Sequence, residues 1–368
     1  MNPHHYAVVV GIGRYPGGFP PLGGPVRDAL EFAAWLKGRR QGGGVPAKNI
    51  KLVLTPHVRS MALNRAKPTK EMIDRALQEI YDRARKAEDD ADEDQREEVR
   101  AQTRLYFFVA GHGIMPGGGQ SALLDAAAMP SRQLNLELRS YLDFFETDGT
   151  FGEVCIFSDC CRTYAPFAQP GGPPFDKPAR FGGEVATLFG WATTAGRMSF
   201  GDESPDDARG YFSRALVSGL RGNATDPDRG VVTASSLRAY VAAAVRESTK
   251  DKDEAMRQMV TMPVDPDREL AFGPARKVPR QRGTSTVRST GRDRRKVVIR
   301  FPDGFTDPVE LVAPDGSKSF WEPADGAWTV RLFDGSWIVQ RAGTELDTSG
   351  LAGDGVFTVL GEDRDVQL

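Results

Sequence analysis

The sequence predicts an α/β fold: a mostly parallel sheet flanked by helices, followed by a small all-β domain. Three observations predict it. Short apolar runs alternate with amphipathic helical stretches as far as residue 274. A basic segment without apolar periodicity then spans 275–296. Beyond it, short alternating runs are punctuated by Asp-Gly pairs. The expected division is therefore a main domain over 1–274, a linker over 275–296 and a β-sandwich-like module over 297–368.

The elements follow in order. Residues 6–12 (YAVVVGI) read as a short buried strand ending in Gly-Ile-Gly, and a Gly/Pro-rich turn follows at 16–25. Over 26–38, Val26, Leu30, Ala33, Ala34 and Leu36 recur at helical spacing. Residues 49–55 form a second strand. A strong helix over 69–87 carries Met72, Ile73, Leu77, Ile80 and Tyr81 on one face. Residues 104–110 (RLYFFVA) are a continuous apolar strand, 134–146 a helix, 153–158 (EVCIFS) a fourth strand and 188–194 a fifth. Helices near 210–221 and 234–246 and a short strand near 268–272 complete the main domain. The acidic run 88–98 reads as a solvated loop or helix end, because it lacks the alternation of a calcium loop. The Gly/Pro-rich stretch 166–183 is expected to be a mobile loop.

Composition narrows the function. The chain has 368 residues, 40% hydrophobic and 27% charged, which suits a globular protein with a substantial core. Its 48 Lys and Arg balance 50 Asp and Glu, so whole-chain capture of nucleic acid or anionic membrane is not expected. The 276–296 segment is the exception, with nine Lys or Arg and one acid; a nucleic acid held there would bind in a salt-dependent, sequence-blind way. No run approaches a membrane span and no signal peptide is visible, so the expected compartment is the reducing cytoplasm. The only cysteines are Cys155, Cys160 and Cys161, and the only histidines are His4, His5, His57 and His112. That set offers no zinc-ligand spacing and no disulfide framework, and no cofactor is expected. His4, His5 and His57 read as surface or loop residues, and Gly11-x-Gly13 is a weak phosphate-loop signal.

Strand 104–110 runs into Gly111-His112-Gly113, and strand 153–158 into Asp159-Cys160-Cys161-Arg162. In a parallel sheet both ends emerge on one edge, where α/β sheets bind and react. His112 and one of the two cysteines can meet there. A thiolate is a nucleophile, and an imidazole can carry its proton. The N–H groups of Gly113 and of that cysteine can form an oxyanion hole. The plain alternatives are a core histidine and a buried inert thiol, and, for Asp28 and Asp159, helix-cap or turn acids. Cys155 lies mid-strand and reads as core.

These motifs resemble the caspase-like cysteine peptidases, in particular the bacterial caspase-like and metacaspase-type proteases. His112 and Cys161 are 49 residues apart, against about 50 in caspases. The start (Val10-Gly11-Ile12-Gly13-x-Tyr15, then Pro21-Leu22-x-Gly24-Pro25-x-x-Asp28-Ala29) and 211–220 (YFSRALVSGL) resemble the same group, so the likeness spans about residues 5–273. It implies a caspase-like sheet, with Cys161 as nucleophile, His112 as base, and the Gly113 and Cys161 N–H groups as oxyanion donors. Cys160 becomes a packed neighbour, with a redox or backup role as the other reading. The resemblance further assigns Asp28 and Asp159 to a pocket for Arg, with Lys as a second choice. Cleavage after Asp is disfavoured, because Asp159-Cys160-Cys161-Arg162-Thr163 replaces the caspase Gln-Ala-Cys-x-Gly. Ala110 departs from the small hydroxyl residue of metacaspases, 191–203 matches the family's substrate-binding strand and loop only loosely, and Asp125 is the sole acid in 114–135, so calcium activation is not expected. The implied partners are protein substrates and an activating protein or protease. Lys177, Arg180, Arg197, Arg209 and the basic linker are candidate self-cleavage sites. The resemblance suggests regulated proteolysis in bacterial defence or cell death, a setting on which no residue bears. The alternatives are a catalytically silent caspase-fold scaffold whose β module recruits a partner, and a protein that acts on nucleic acid through the basic linker.

Overall fold

The structure is a computed structural model that describes residues 2–38, 42–58, 60–117, 120–175, 184–202, 208–253, 257–265 and 268–273, and from the C-terminal region 294–301, 305, 307–312, 318–321, 327–333, 335–341, 356–359 and 364–367. The chain divides into two compact units, Met1–Asn223 with Val232–Pro274, and Ala224–Val231 with Ala275–Leu368.

The larger unit begins with β1 (His5–Gly11), α1 (Pro25–Lys37), β2 (Ile50–Leu54), α2 (Lys70–Asp89), α3 (Arg96–Ala101) and β3 (Arg104–Gly111). Next come β4 (Gly113–Pro116), β5 (Ala122–Leu124), β6 (Asn135–Glu137), α4 (Leu138–Asp148), β7 (Glu153–Cys160), β8 (Thr163–Ala165) and β9 (Ala186–Trp191). It ends with β10 (Gly201–Asp202), β11 (Arg209–Gly210), α5 (Tyr211–Ser218), β12 (Val232–Thr233), α6 (Ala234–Ser248) and β13 (Ala271–Phe272).

A five-stranded sheet in the order β2-β1-β3-β7-β9 is parallel throughout. Side chains alternate across it. From β1, β3 and β7, Tyr6, Val8, Val10, Leu105, Phe107, Val109, Val154 and Ile156 share one core with Ile73, Leu77 and Ile80 of α2 and Tyr141, Leu142 and Phe145 of α4. The other face meets α1: Phe32 stacks on Phe108 at 4.7 Å and lies edge-on to Phe157, and Trp35 lies edge-on to Tyr106. Burying each such aromatic stabilises the fold by about 1.5–3 kcal/mol. Residues on β3 are buried on both faces, which is why that strand reads as an unbroken apolar run. α1 opens on Pro25, whose missing N–H costs nothing in the first turn.

The helix expected over 134–146 starts four residues later, because 135–137 pairs as β6 in a second sheet of order β6-β5-β4-β8. The fifth strand ends at Trp191 rather than 194. The strand near 268–272 is β13, paired with β12 and outside the main sheet. The acidic run divides: α2 continues to Asp89, and a further short helix, α3, begins at Arg96. Part of the expected mobile loop is held. Asn135 Nδ2 donates to the Gln169 carbonyl, Gly171 N–H donates to Asn135 Oδ1, and Phe175 stacks on Phe144 at 4.5 Å. Lys177 and Arg180 lie outside the described residues.

In the second unit, β14 (Arg294–Arg300), β15 (Val309–Val312), β16 (Lys318–Trp321), β17 (Ala327–Phe333), β18 (Gly335–Arg341), β19 (Val356–Val359) and β20 (Arg364–Gln367) form two sheets, β17-β14-β20 and β16-β15-β18-β19. Val297, Ile299, Leu332 and Val366 from one sheet and Val309, Leu311 and Val339 from the other make one apolar cluster, the period-2 pattern of a sandwich. The Asp-Gly signals differ from expectation. Two pairs, one between β15 and β16 and one between β18 and β19, stand between strands that are partners; β17 and β18 flank another and belong to different sheets. In a sandwich, consecutive strands often cross between sheets, and a local turn signal does not register that. β14 also begins at Arg294, so the last three residues of the expected linker are strand; 275–293 lies outside the described residues.

Candidate active site

The sheet order reverses at β1, and the crevice outside the carboxyl ends of β1 and β3 is where such sheets place their sites. The register sets Gly111 opposite Cys160 on β3 and β7, so His112 and Cys161 each follow one end of the same aligned pair. From there β4 and β8 continue side by side, with Ile114 opposite Thr163. Gly113 is required by close approach: a Cβ there would overlap the Cys161 carbonyl and the Cys160 Cβ.

Tyr15, in the loop after β1, fixes the histidine. Its hydroxyl accepts the His112 backbone N–H at 2.8 Å, and its ring packs 4.7 Å from the imidazole, with Phe19 at 5.6 Å on the same group. His112 Nε2 lies 2.8 Å from the Pro20 carbonyl. A carbonyl only accepts, so Nε2 carries the proton and the neutral ring keeps its lone pair on Nδ1. Burial lowers the His112 pKa, opposed by the Pro20 bond, so the ring is neutral at pH 7.

Cys161 Sγ accepts the Ser199 N–H at 3.3 Å and lies 3.8 Å from the Ser199 carbonyl. Burial raises its pKa, opposed by the Ser199 N–H and reinforced by the Asp159 charge. No hydrogen bond joins Cys161 to His112 in this state; each is held by its own backbone partner. Cys160 is 1% exposed, belongs to the core beside α2 and α4, and burial pushes its thiol far up. Cys155 is fully buried mid-strand, with its thiol pushed up to about 12 by burial. Cys161 is the most accessible of the three cysteines.

The geometry around Gly113 bears on an oxyanion. The Leu124 N–H donates to the His112 carbonyl, which makes Gly113–Leu123 a wide pair of the β4–β5 ladder. The Gly113 N–H therefore points to the opposite side of β4, the side on which β8 and Cys161 lie.

Asp159 points to the α1 face of the sheet, by alternation with Phe157. It is 8% exposed. Its carboxylate accepts the Ser213 N–H at 3.0 Å, the Ser213 hydroxyl at 2.6 Å and the Ser199 hydroxyl at 2.8 Å. Ser213 is in the first turn of α5, so Asp159 also caps that helix. Asp28, on α1 and 2% exposed, accepts the Gly210 N–H at 2.8 Å and Arg209 Nε at 2.5 Å. The two acids thus converge on one helix start, and Gly210 lies so close to Asp159 that a Cβ would strike its carboxylate. Burial, then the Asp159 charge, push the Asp28 pKa up to about 7 against the Arg209 and Gly210 bonds; burial raises Asp159 as well.

Four further residues contribute, and of these only Arg162 stands in a motif, the one that follows β7. Pro20 acts through a carbonyl. Ser199 links Cys161 to Asp159. Gln258 accepts the Phe200 N–H and donates to the Ala192 carbonyl, tying down the Ser199 segment. Arg162 donates to the Gln120 and Thr193 carbonyls and lies 5.0 Å over the Trp191 ring, which joins the walls beside Cys161. Tyr15 stands in the opening motif. Among the described residues no group of three or more His, Cys, Asp or Glu is placed to hold a metal ion, and no helix is long and apolar enough to cross a membrane.

The caspase domain family profile matches residues 4–265, and the chain belongs to that family. A probable protease from a Desulfuromonadales bacterium is 28% identical over 239 residues, 59% of this chain and 26% of that protein. The chain thus spans about a quarter of that relative's length. The crystal structure of caspase-1 from Spodoptera frugiperda aligns with a TM-score of 0.47 and 14% identity, over 75% of this chain and 92% of that one.

Proposed function

We propose that the chain is a cysteine endopeptidase that cleaves proteins after Arg, and less well after Lys. The observation that carries the reading is that His112 and Cys161 directly follow the aligned Gly111–Cys160 pair at the adjoining ends of β3 and β7. Cys161 Sγ attacks the scissile carbonyl carbon while His112 Nδ1 takes the thiol proton. The oxyanion lies between the N–H groups of Gly113 and Cys161. Collapse of that intermediate breaks the C–N bond, and His112 returns the proton to the leaving amine. Water, deprotonated by His112, then hydrolyses the thioester and frees Cys161. Asp28 and Asp159 supply the negative charge for the basic side chain before the cut. The family's setting suggests regulated proteolysis in bacterial defence. An activating partner, and a cytoplasmic location, belong to the same reading.

Fluorogenic peptides with Arg, Lys, Asp or Leu before the cleaved bond test it. Turnover in the order Arg, Lys, then the others supports the acid pair as the specificity pocket. Preference for Asp or Leu would keep the peptidase and remove the pocket assignment. No turnover of any peptide, with no labelling of Cys161 by a peptidyl acyloxymethyl ketone, would leave the scaffold reading.

The neutral state of both groups has its own consequence. With the thiol raised and the imidazole lowered, Cys161 and His112 are uncharged at pH 7, not a thiolate–imidazolium pair. A thiol with a raised pKa is a thiolate only above that pKa, so the iodoacetamide alkylation rate of Cys161 is expected to climb through pH 7–9 without a plateau. Peptide mass spectrometry of quenched samples reads the rate. A plateau between pH 6 and 8 would show a preformed ion pair instead.

A further inference from the structure

Arg209 was a candidate self-cleavage site, but its side chain is only 10% exposed, and it fills the acidic pair. Its Nε lies 2.5 Å from Asp28 Oδ1, and Nη1 lies 3.9 Å from Glu31 Oε1. Its neighbour Gly210 donates to Asp28 Oδ2 and rests against Asp159. The Arg209-Gly210 dipeptide therefore spans both carboxylates. Every carboxylate oxygen of the pair already has a donor: Arg209 and Gly210 on Asp28, Ser199 and Ser213 on Asp159.

We propose that Arg209 is an internal occupant of the Asp28–Asp159 pocket, which the substrate's basic side chain must displace before it can bind. The inference rests on the pocket assignment made above. Occupancy makes the step an exchange and not an addition. The Asp28 edge that a second guanidinium would grip is already taken by Arg209 Nε and the Gly210 N–H, and Arg221 already holds Glu31 at 2.9 Å. The structure makes the exchange mechanically cheap. Arg209 belongs to a two-residue ladder, Gly201 opposite Gly210 and Asp202 opposite Arg209, which gives little resistance to local opening. It also precedes α5, so its side chain can leave without unwinding that helix.

The consequence is self-competition. A pocket open for a tenth of the time binds its ligand about tenfold more weakly than one always open. Arg209 thus sets the apparent affinity for basic side chains.

Agmatine, a small guanidinium, is the probe. Titration calorimetry compares the full chain carrying Cys161→Ala with the same chain carrying Arg209→Ala as well. The double variant is expected to bind agmatine about tenfold more tightly. Arg209→Ala in the active chain is expected to lower KM for the Arg peptide, with no gain for a Leu peptide. Should loss of Arg209 destabilise the fold, agmatine is expected to raise the melting temperature of Arg209→Ala more than that of the parent, because it replaces the missing cation. Arg209→Met, which keeps the side-chain bulk without the charge, should behave likewise. Equal agmatine affinity and equal melting shifts in both chains, with Arg turnover present, would overturn the inference and leave the pocket assignment standing. Agmatine binding to neither chain, with cleavage only after non-basic residues, would overturn both.

Discussion

Cys161→Ala is expected to lower kcat by about 10⁴-fold or more on whichever peptide the parent cleaves, with little change in melting temperature. The side chain is partly exposed and its one polar partner is the Ser199 backbone, so its removal leaves neither a cavity nor a buried unpaired side chain. Cys160→Ala is expected to do the opposite. That thiol is packed in the core beside α2 and α4, and its truncation costs about 1 kcal/mol with activity largely kept. The adjacent cysteines thus serve as controls for each other: one loses activity without stability, the other stability without activity. The measurement is steady-state cleavage beside thermal unfolding on the same preparations. Activity that survives Cys161→Ala and disappears in Cys160→Ala would reverse the assignment.

Asp159→Ala is expected to be the most destabilising polar substitution at the site, at about 3–5 kcal/mol. The carboxylate accepts three hydrogen bonds in a nearly closed environment, and truncation strands the Ser213 N–H, the Ser213 hydroxyl and the Ser199 hydroxyl. Each stranded buried donor costs about 1–3 kcal/mol. Activity should fall with every peptide alike, because Ser199 also positions Cys161. Asp159→Asn should be much milder. Burial raises the Asp159 pKa, so the neutral form is already favoured there relative to an exposed acid; the amide oxygen can still accept from Ser213, and the Ser199 hydroxyl can accept from the amide NH2. Urea unfolding of the three proteins reads the difference. An Asp159→Ala chain as stable as the parent, with only Arg cleavage lost, would show that Asp159 serves the pocket and not the helix start.

That dual role shows what could be read along the chain. Of the two readings open for Asp159, the helix-cap acid describes its contacts at the start of α5, and the pocket acid belongs to the proposed function. Asp28 is equally double: it accepts from the α5 N-cap backbone and from Arg209. The segment around Arg209 gave no hint of this. A basic residue in a Gly- and Asp-rich stretch reads as an exposed loop, and only the long-range packing of α5 against α1 brings it to Asp28, 181 residues away in sequence. The small sheet of β4, β5, β6 and β8 was equally hidden, since strands of three or four residues are too short for a periodicity.

The sequence by itself determined the five apolar strands, the helices that cover them, the change of architecture after the basic segment, and the two strand ends that carry His112 and Cys161. These are local properties: periodicity of burial, turn residues and the position of a few chemically able side chains. Only the tertiary structure decided which ring nitrogen of His112 holds the proton, that Cys161 is the accessible member of the Cys160–Cys161 pair, and that Arg209 lies in the acid pair. Each of those depends on a partner far off in the chain, Pro20, Ser199 or Asp28, whose contribution is a backbone group or a buried charge. Such partners leave no pattern in sequence, because they are chosen by packing distance and by the cost of leaving a buried polar group unpaired.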